Sequence, residues 1–389
     1  MPLAPLNRHS MHHQPFAAAC LAALVCCSAW CELARADDPP CAAPVGSFDT
    51  PDDAFGVFVA GRVAYVADQE TGIQIIDVSN ATSPTHLGSY NTPGSAVSVE
   101  VVGNVAFVAD GSFGLQLIDV SDPAAPVLLG SLNTPNIARW VRVSGNLAFV
   151  ADSSSGLQII DVADPNAPVL LGSFDTPGSA YGVDVVGDIA CIADNQFGLQ
   201  IIDVSDPKSP LRLGAFDTPG SAYAVACAGH LVYLADYQAG LQIIDISDPK
   251  APELVGSYDT DGYAYGVSVV GSLAYIADSS SGLLVLDVSD PAAPAVLGHY
   301  DSPGYAQGVS VHGNLAYLAD YDFGLQIVDV TACPQCPVDL DGSGDLSPLD
   351  FLAFVDLFAA EDPGADCDQD HAYTLFDFLC FVNRYNQGC

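Results

Sequence analysis

Positive charge is what this chain of 389 residues has least of: nine Lys and Arg stand against 47 Asp and Glu, a formal charge of −38. So few cations build no basic patch, which argues against nucleic acid or an anionic membrane as partner. Histidine is also thin. After residue 36, His86, His230, His299, His312 and His371 fall at unrelated positions of the repeat described below, so no histidine metal cluster is indicated. GxSxG, HExxH and P-loop patterns are missing. Long apolar runs are missing too. Half the chain is apolar, enough for a large core, but turn residues interrupt every apolar stretch beyond Trp30, and none reads as a membrane-spanning helix.

The early run, Phe16–Trp30, follows Arg8 and precedes Ala34-Arg35-Ala36, a small-x-small cleavage pattern. It is short for a membrane span, so residues 1–36 read as a secretory signal and the expectation is export. Cys26 and Cys31 follow Val25 and Trp30, where a lipoprotein signal has a small residue. Eight cysteines remain after residue 36: Cys41, Cys191, Cys227, Cys333, Cys336, Cys367, Cys380 and Cys389. An even number in an exported chain permits disulfides.

What the chain has in abundance is repetition. The stretch GLQIIDVADP at Gly156–Pro165 recurs almost unchanged seven times, with its aspartate at Asp77, Asp119, Asp161, Asp203, Asp245, Asp287 and Asp329. A second aspartate stands nine residues earlier in each copy, at Asp68, Asp110, Asp152, Asp194, Asp236, Asp278 and Asp320. Every interval is 42 residues, the mark of an array of one supersecondary unit. Within residues 171–212, apolar β-rich runs at 181–186, 189–193, 199–204 and 211–216 alternate with turns at Gly187-Asp188, Asp194–Gly198 and Ser205-Asp206-Pro207. The runs are almost continuously apolar, which implies sheets covered on both faces.

Four antiparallel strands repeated sevenfold predict an all-β, seven-bladed β-propeller over residues 37–332, with 181–186 innermost and 211–216 outermost in its blade. A β-solenoid is the competing fold, though its coils are usually shorter. The seventh copy lacks an outermost strand after Val330, and a spare copy of it stands at Pro44–Asp49. The N-terminal strand is therefore expected to complete the last blade and hide two sheet edges.

The aspartates, identical in seven copies, are expected to serve the unit by accepting backbone N–H bonds in their own turns. A site is sought where copies differ: the turns after the first aspartate and the lead-in to the innermost strand. Phe113, Trp140, Phe197, Tyr237, Tyr263, Tyr305 and Tyr321 there would give one face an aromatic, acidic rim, of the kind that binds a glycan or peptide, or else they are loop packing. Glu100, Arg142 and Asp184 share one repeat position in consecutive blades and are expected to form a salt-bridged row near the channel.

The LQIIDV, LQLIDV and LLVLDV segments resemble the LVIVD repeat of bacterial and archaeal surface proteins. The resemblance implies a propeller on an exported protein and no established reaction.

Composition changes at Cys333-Pro334-Gln335-Cys336-Pro337. Asp339, Asp341, Ser343, Ser347 and Asp350 then take positions 1, 3, 5, 9 and 12 of a loop, with Gly344 at 6 and Asp345 at 7. That is the spacing with which a twelve-residue loop offers calcium its oxygens. Asp366, Asp368, Asp370, Thr374 and Asp377 repeat it 27 residues on, with Ala372 at position 7 and His371 in place of the glycine. Helical patterns follow at Phe351–Phe358 and Phe378–Tyr385. Two such loop-helix units, with Cys336-Pro337 and Gly388-Cys389 at the ends, resemble a dockerin. The resemblance implies a small all-α domain over 333–389 that binds two calcium ions. It also implies a cohesin-like partner met by Pro348, Leu349, Leu375 and Phe376.

In the repeat frame Cys333 falls level with Pro39 and Cys336 with Ala42, so Cys41 lies beside both. A Cys41–Cys333 bridge is expected to pin the closing strand, leaving Cys336 to Cys389. Three functional readings remain. The first is a secreted, non-catalytic binding scaffold attached through the dockerin-like module. The others are an extracellular metal-dependent hydrolase with an acidic pocket on the propeller face and a structural surface-layer component.

Overall fold

The computed structural model describes residues 41–331. Within them the chain forms 28 strands in seven four-stranded antiparallel sheets. The sheets are the blades of the expected propeller, and no helix occurs among the described residues. In blade 4 the strands run Gly182–Val186, Ile189–Ala193, Leu199–Asp203 and Leu211–Phe216 in that spatial order, as the sequence predicts. Blade 7 is assembled from both ends of the array. Its outer strand, Ala43–Phe48, pairs antiparallel with Leu325–Asp329, Phe48 opposite Leu325 and Ala43 opposite Asp329.

The core lies between blades. Alternate residues of the second strand point to opposite interfaces: Phe149 and Ala151 pack into blade 4, while Ala148 and Val150 pack into blade 2. This is why the middle strands are apolar at almost every position: both faces are buried. Seven clusters of this kind, one per interface, make the hydrophobic interior. The blades approach so closely at their outer strands that a side chain on Gly172 would place its Cβ 2.3 Å from the carbonyl oxygen of Pro207 in the next blade's Asp-Pro turn. Backbone pairs stitch neighbours along one face, such as Asn195 with Ala222, and Ala54 with Tyr321 closes the ring from blade 7 to blade 1.

Cys41 is buried in the interface of blades 6 and 7 and is disulfide-bonded. Its partner is neither Cys191 nor Cys227, both of which are free thiols. Cys333, Cys336 and Cys389 lie outside the described residues, as do the signal at 1–36 and the whole dockerin-like stretch with its calcium positions and its Pro348, Leu349, Leu375 and Phe376.

Candidate ligand face at the propeller axis

The recurring first aspartate does something other than cap its own turn. Asp194 is fully buried, and its carboxylate reaches back to the link that enters its blade. It accepts the Thr176 hydroxyl at 2.6 Å and the Gly178 N–H at 2.9 Å, residues 18 and 16 positions earlier. Blades 2, 3, 5 and 6 repeat the pair of bonds, and blade 7 repeats it with Ser302. The local Asx-turn expected here is therefore replaced by a cross-link between consecutive blades. Burial raises the pKa of Asp194 above the usual carboxylate value, and the two hydrogen bonds partly offset that. The second aspartate does behave as expected: Asp203 accepts the Ser205 N–H at 2.9 Å, and its hydrogen bonds to Ser205 lower its pKa.

Blade 1 departs from the pattern. Asp52 and Asp53 stand where blade 2 has Gly94-Ser95 and blade 3 has Asn136-Ile137, and Asp52 accepts the Glu70 N–H at 2.9 Å. Asp53 faces Tyr321 and Asp322 across the closure, and this neighbouring carboxylate raises the pKa of both.

The inner strands line an axial channel of about 270 Å³. The salt-bridged row stands in it as predicted. Arg142 contacts Glu100 at 3.3 Å and Asp184 at 2.9 Å. The other carboxylate oxygens are also engaged, Glu100 by the Val143 N–H and Asp184 by the Cys227 N–H, each at 2.8 Å. Burial raises the pKa of Glu100, and Arg142 opposes the shift. Cys227 hydrogen-bonds with Cys191 of the neighbouring blade, which together with burial pushes its thiol far up and makes it a poor nucleophile.

One residue before each inner strand, the chain places Phe55, Val97, Arg139, Tyr181, Tyr223, Tyr265 and Gln307 at a single repeat position. Each backbone N–H there bonds the end of the second strand, as Tyr223 does to the Ala235 carbonyl at 2.9 Å, so the side chains leave adjacent blades at the same level. Four of them touch in sequence. The Arg139 guanidinium lies over the Tyr181 ring at 4.4 Å, Tyr181 meets Tyr223 at 4.6 Å, and Tyr223 meets Tyr265 at 4.9 Å. Tyr237 backs this row, 5.2 Å from Tyr223 and 5.4 Å from Tyr265, and Tyr263 stacks on it at 4.4 Å. Burial, then the neighbouring tyrosines, push Tyr223 and Tyr265 up, so their hydroxyls stay neutral donors.

Of the aromatic residues expected on a rim, the structure brings Tyr237 and Tyr263 into this cluster and sets Tyr305 against Tyr321 at 6.3 Å. Phe113 and Phe197 are exposed and pack over the turn glycines Gly94 and Gly178 of their own blades. Trp140 begins an inner strand, where it lines the channel and leans on the core between blades 3 and 4. Arg139, Tyr181, Tyr223 and Tyr265 stand in the lead-in to the innermost strand that the sequence marks as variable, but they are not among the residues expected on the rim, although their 42-residue spacing is a signal that could have found them.

Solved propellers share this architecture at low identity. The WD40 propeller domain of Doa1 superposes with a TM-score of 0.63 at 8% identity over 74% of this chain and 96% of that one. The propeller domain of Cps50 (Swd1) from Myceliophteria thermophila gives 0.61 at 12%, over 75% and 100%. The computationally designed Ika8 protein gives 0.58 at 8%, over 74% and 99%. These likenesses show the fold alone. No curated protein matches the chain significantly in sequence. The LVIVD repeat model matches at residues 51–92, 93–134, 136–176, 177–218, 219–260, 261–302 and 303–333, most of the chain, which therefore belongs to the LVIVD-repeat family.

Proposed function

We propose that the chain is an exported, non-catalytic binding scaffold. Its propeller presents a ligand face, and residues 333–389 attach it through calcium to a cohesin-like partner on a cell surface or extracellular complex. The observation that carries the reading is the contiguous row Arg139–Tyr181–Tyr223–Tyr265 with Tyr237 and Tyr263 behind it. Tyrosines offer large amphipathic contact area at little conformational cost, which suits recognition. The carboxylates that an enzyme would need at the axis, Glu100 and Asp184, are tied to Arg142 and to backbone N–H groups. The attachment half rests on the two loops beginning at Asp339 and Asp366.

Surface retention tests that half. The full chain returned to extracellular material from its source should be held in calcium and released by a chelator. A chain with Asp339→Ala and Asp366→Ala should not be held at all. Retention indifferent to chelator and to both substitutions would sink the calcium-dependent attachment.

A further inference from the structure

Arg139 is the unusual member of the tyrosine row. Its guanidinium forms no hydrogen bond and no ion pair among the described residues, although acids outnumber bases about fivefold in the chain. Its Nε is buried from solvent and has no partner. A buried donor left unmade is costly and calls for an explanation. Arg142, three residues further along the chain, shows how this protein treats an arginine with a structural role, setting it between two carboxylates. The Arg139 guanidinium sits over the Tyr181 ring at 4.4 Å, a cation–π contact that leaves its N–H donors without a hydrogen-bond partner.

The turn that carries Tyr237 has the same backbone in every blade: Tyr237 holds φ at 51°, and Gln69, Gly111, Ser153, Asn195, Ser279 and Tyr321 hold φ between 42° and 55° at the same repeat position. Only in blade 5 does this shared turn carry a ring that joins Tyr223, Tyr263 and Tyr265.

We infer that this cluster is a binding site for an acidic saccharide, the carboxylate of a uronate residue pairing with Arg139 while the sugar ring lies on the tyrosines. This rests on the binding-scaffold reading and gives its face a ligand class. A planar carboxylate matches the two parallel N–H donors of a guanidinium, and such charge-assisted pairs are about twice as strong as neutral ones. A uronate also carries only one charge per sugar residue, less than a phosphate monoester does, which suits a chain of net charge −38. Screening within about 8 Å at physiological salt lets the local cation outweigh distant acids. Tyrosine faces accept the C–H face of a sugar, and neutral hydroxyls reach its hydroxyls. Peptide recognition draws instead on a free strand edge or a pocket for an apolar side chain, and the row supplies neither.

The test is titration of the full chain, in calcium, with tetragalacturonate, its methyl ester, and an acetylated tripeptide bearing a free C-terminal carboxylate. Calorimetry and tyrosine fluorescence are the readouts. Tetragalacturonate should bind, and the ester should bind about 10–100-fold more weakly, the worth of one charged hydrogen-bonded pair. Arg139→Gln should weaken the acid by the same factor and the ester much less, with a cooperative thermal transition showing that the variant is folded. Tyr223→Ala should weaken acid and ester together. Equal binding of acid and ester, no binding of either, or an acid affinity untouched by Arg139→Gln would overturn the assignment. Tripeptide binding as tight as tetragalacturonate would overturn the saccharide. Because chelator release reports attachment alone, a negative titration beside intact calcium-dependent retention removes the ligand class and leaves the scaffold standing.

Discussion

Two positions of the 42-residue unit repay comparison. At one, occupied by Asp110, Asp152, Asp194 and their equivalents, all seven blades carry the same residue, buried and bonded back to the link that enters its blade. At the other, just before the inner strand, the blades carry Phe55, Val97, Arg139, Tyr181, Tyr223, Tyr265 and Gln307. The first position solves a problem that every blade has: holding the incoming link against the sheet that it enters. The second lies at the axis, where the side chains of different blades meet one another and no packing rule requires them to match. Sameness marks what the unit needs, and difference marks where the ring as a whole can act.

The sharpest way to break that comparison is to truncate one residue of each kind. Asp194→Ala strands the Thr176 hydroxyl and the Gly178 N–H without acceptors, for an expected loss of roughly 2–5 kcal/mol. Tyr223→Ala, at the half-buried variable position, forfeits ring pairs for about 1–2 kcal/mol. Denaturant unfolding of the two variants reads the difference, and equal losses would erase the distinction between the positions.

A pH series sharpens it. The buried aspartates, from Asp110 to Asp320, have raised pKa values, so their contribution is present below the unfolded value and is lost as pH rises through the folded one. The exposed set, Asp77, Asp119, Asp203, Asp245 and Asp329, is lowered, so its contribution is present above the unfolded value and is lost as pH falls. Self-repulsion at −38 adds to the alkaline loss. The thermal midpoint should therefore be higher near pH 5 than near pH 8, and should fall again in stronger acid. A midpoint that climbs steadily to pH 8 would show that the buried carboxylates do not behave as described.

The smallest effect is expected at Cys227. Its raised thiol should be alkylated in the native protein at pH 8 more than tenfold slower than in the unfolded chain, as read by mass spectrometry. Labelling at the unfolded rate would show an open channel wall.

Much of this architecture is legible in the sequence, because strict repetition magnifies weak signals. One copy of LQIID reads only as a short apolar run, whereas seven at one spacing fix strand number, blade order and the strand Ala43–Phe48 that completes blade 7. The partner of Asp194 is not legible, since its bonds run 16 and 18 residues back and only folding brings those groups together. The aromatic site is half legible. Turn residues such as Tyr237 and Tyr263 stand out as variable. Tyr181, Tyr223 and Tyr265 look like ordinary strand starters, and Trp140, one residue beyond that position, goes to the channel wall instead. The row Glu100–Arg142–Asp184 is readable because opposite charges at one repeat position in consecutive blades have one obvious way to meet.

The closure of blade 7 bears on the order in which the molecule can form. Six sheets are built wholly from strands that follow one another along the chain, so each can assemble from local hairpins. The seventh must bring Ala43 to Asp329, across almost the whole array. Contacts between residues so far apart in the chain are slow to form, because the entropy of closing the loop is spent before the contact rewards it. On topology, the capture of the first strand is therefore the step expected to come last. Until then Leu325–Asp329 is an open edge whose counterparts, LQIID in blades 3, 4 and 5, are nearly identical to itself. For that interval the nascent ring offers an edge that the outer strand of another copy of the same chain also fits, held off by the higher effective concentration of the chain's own strand.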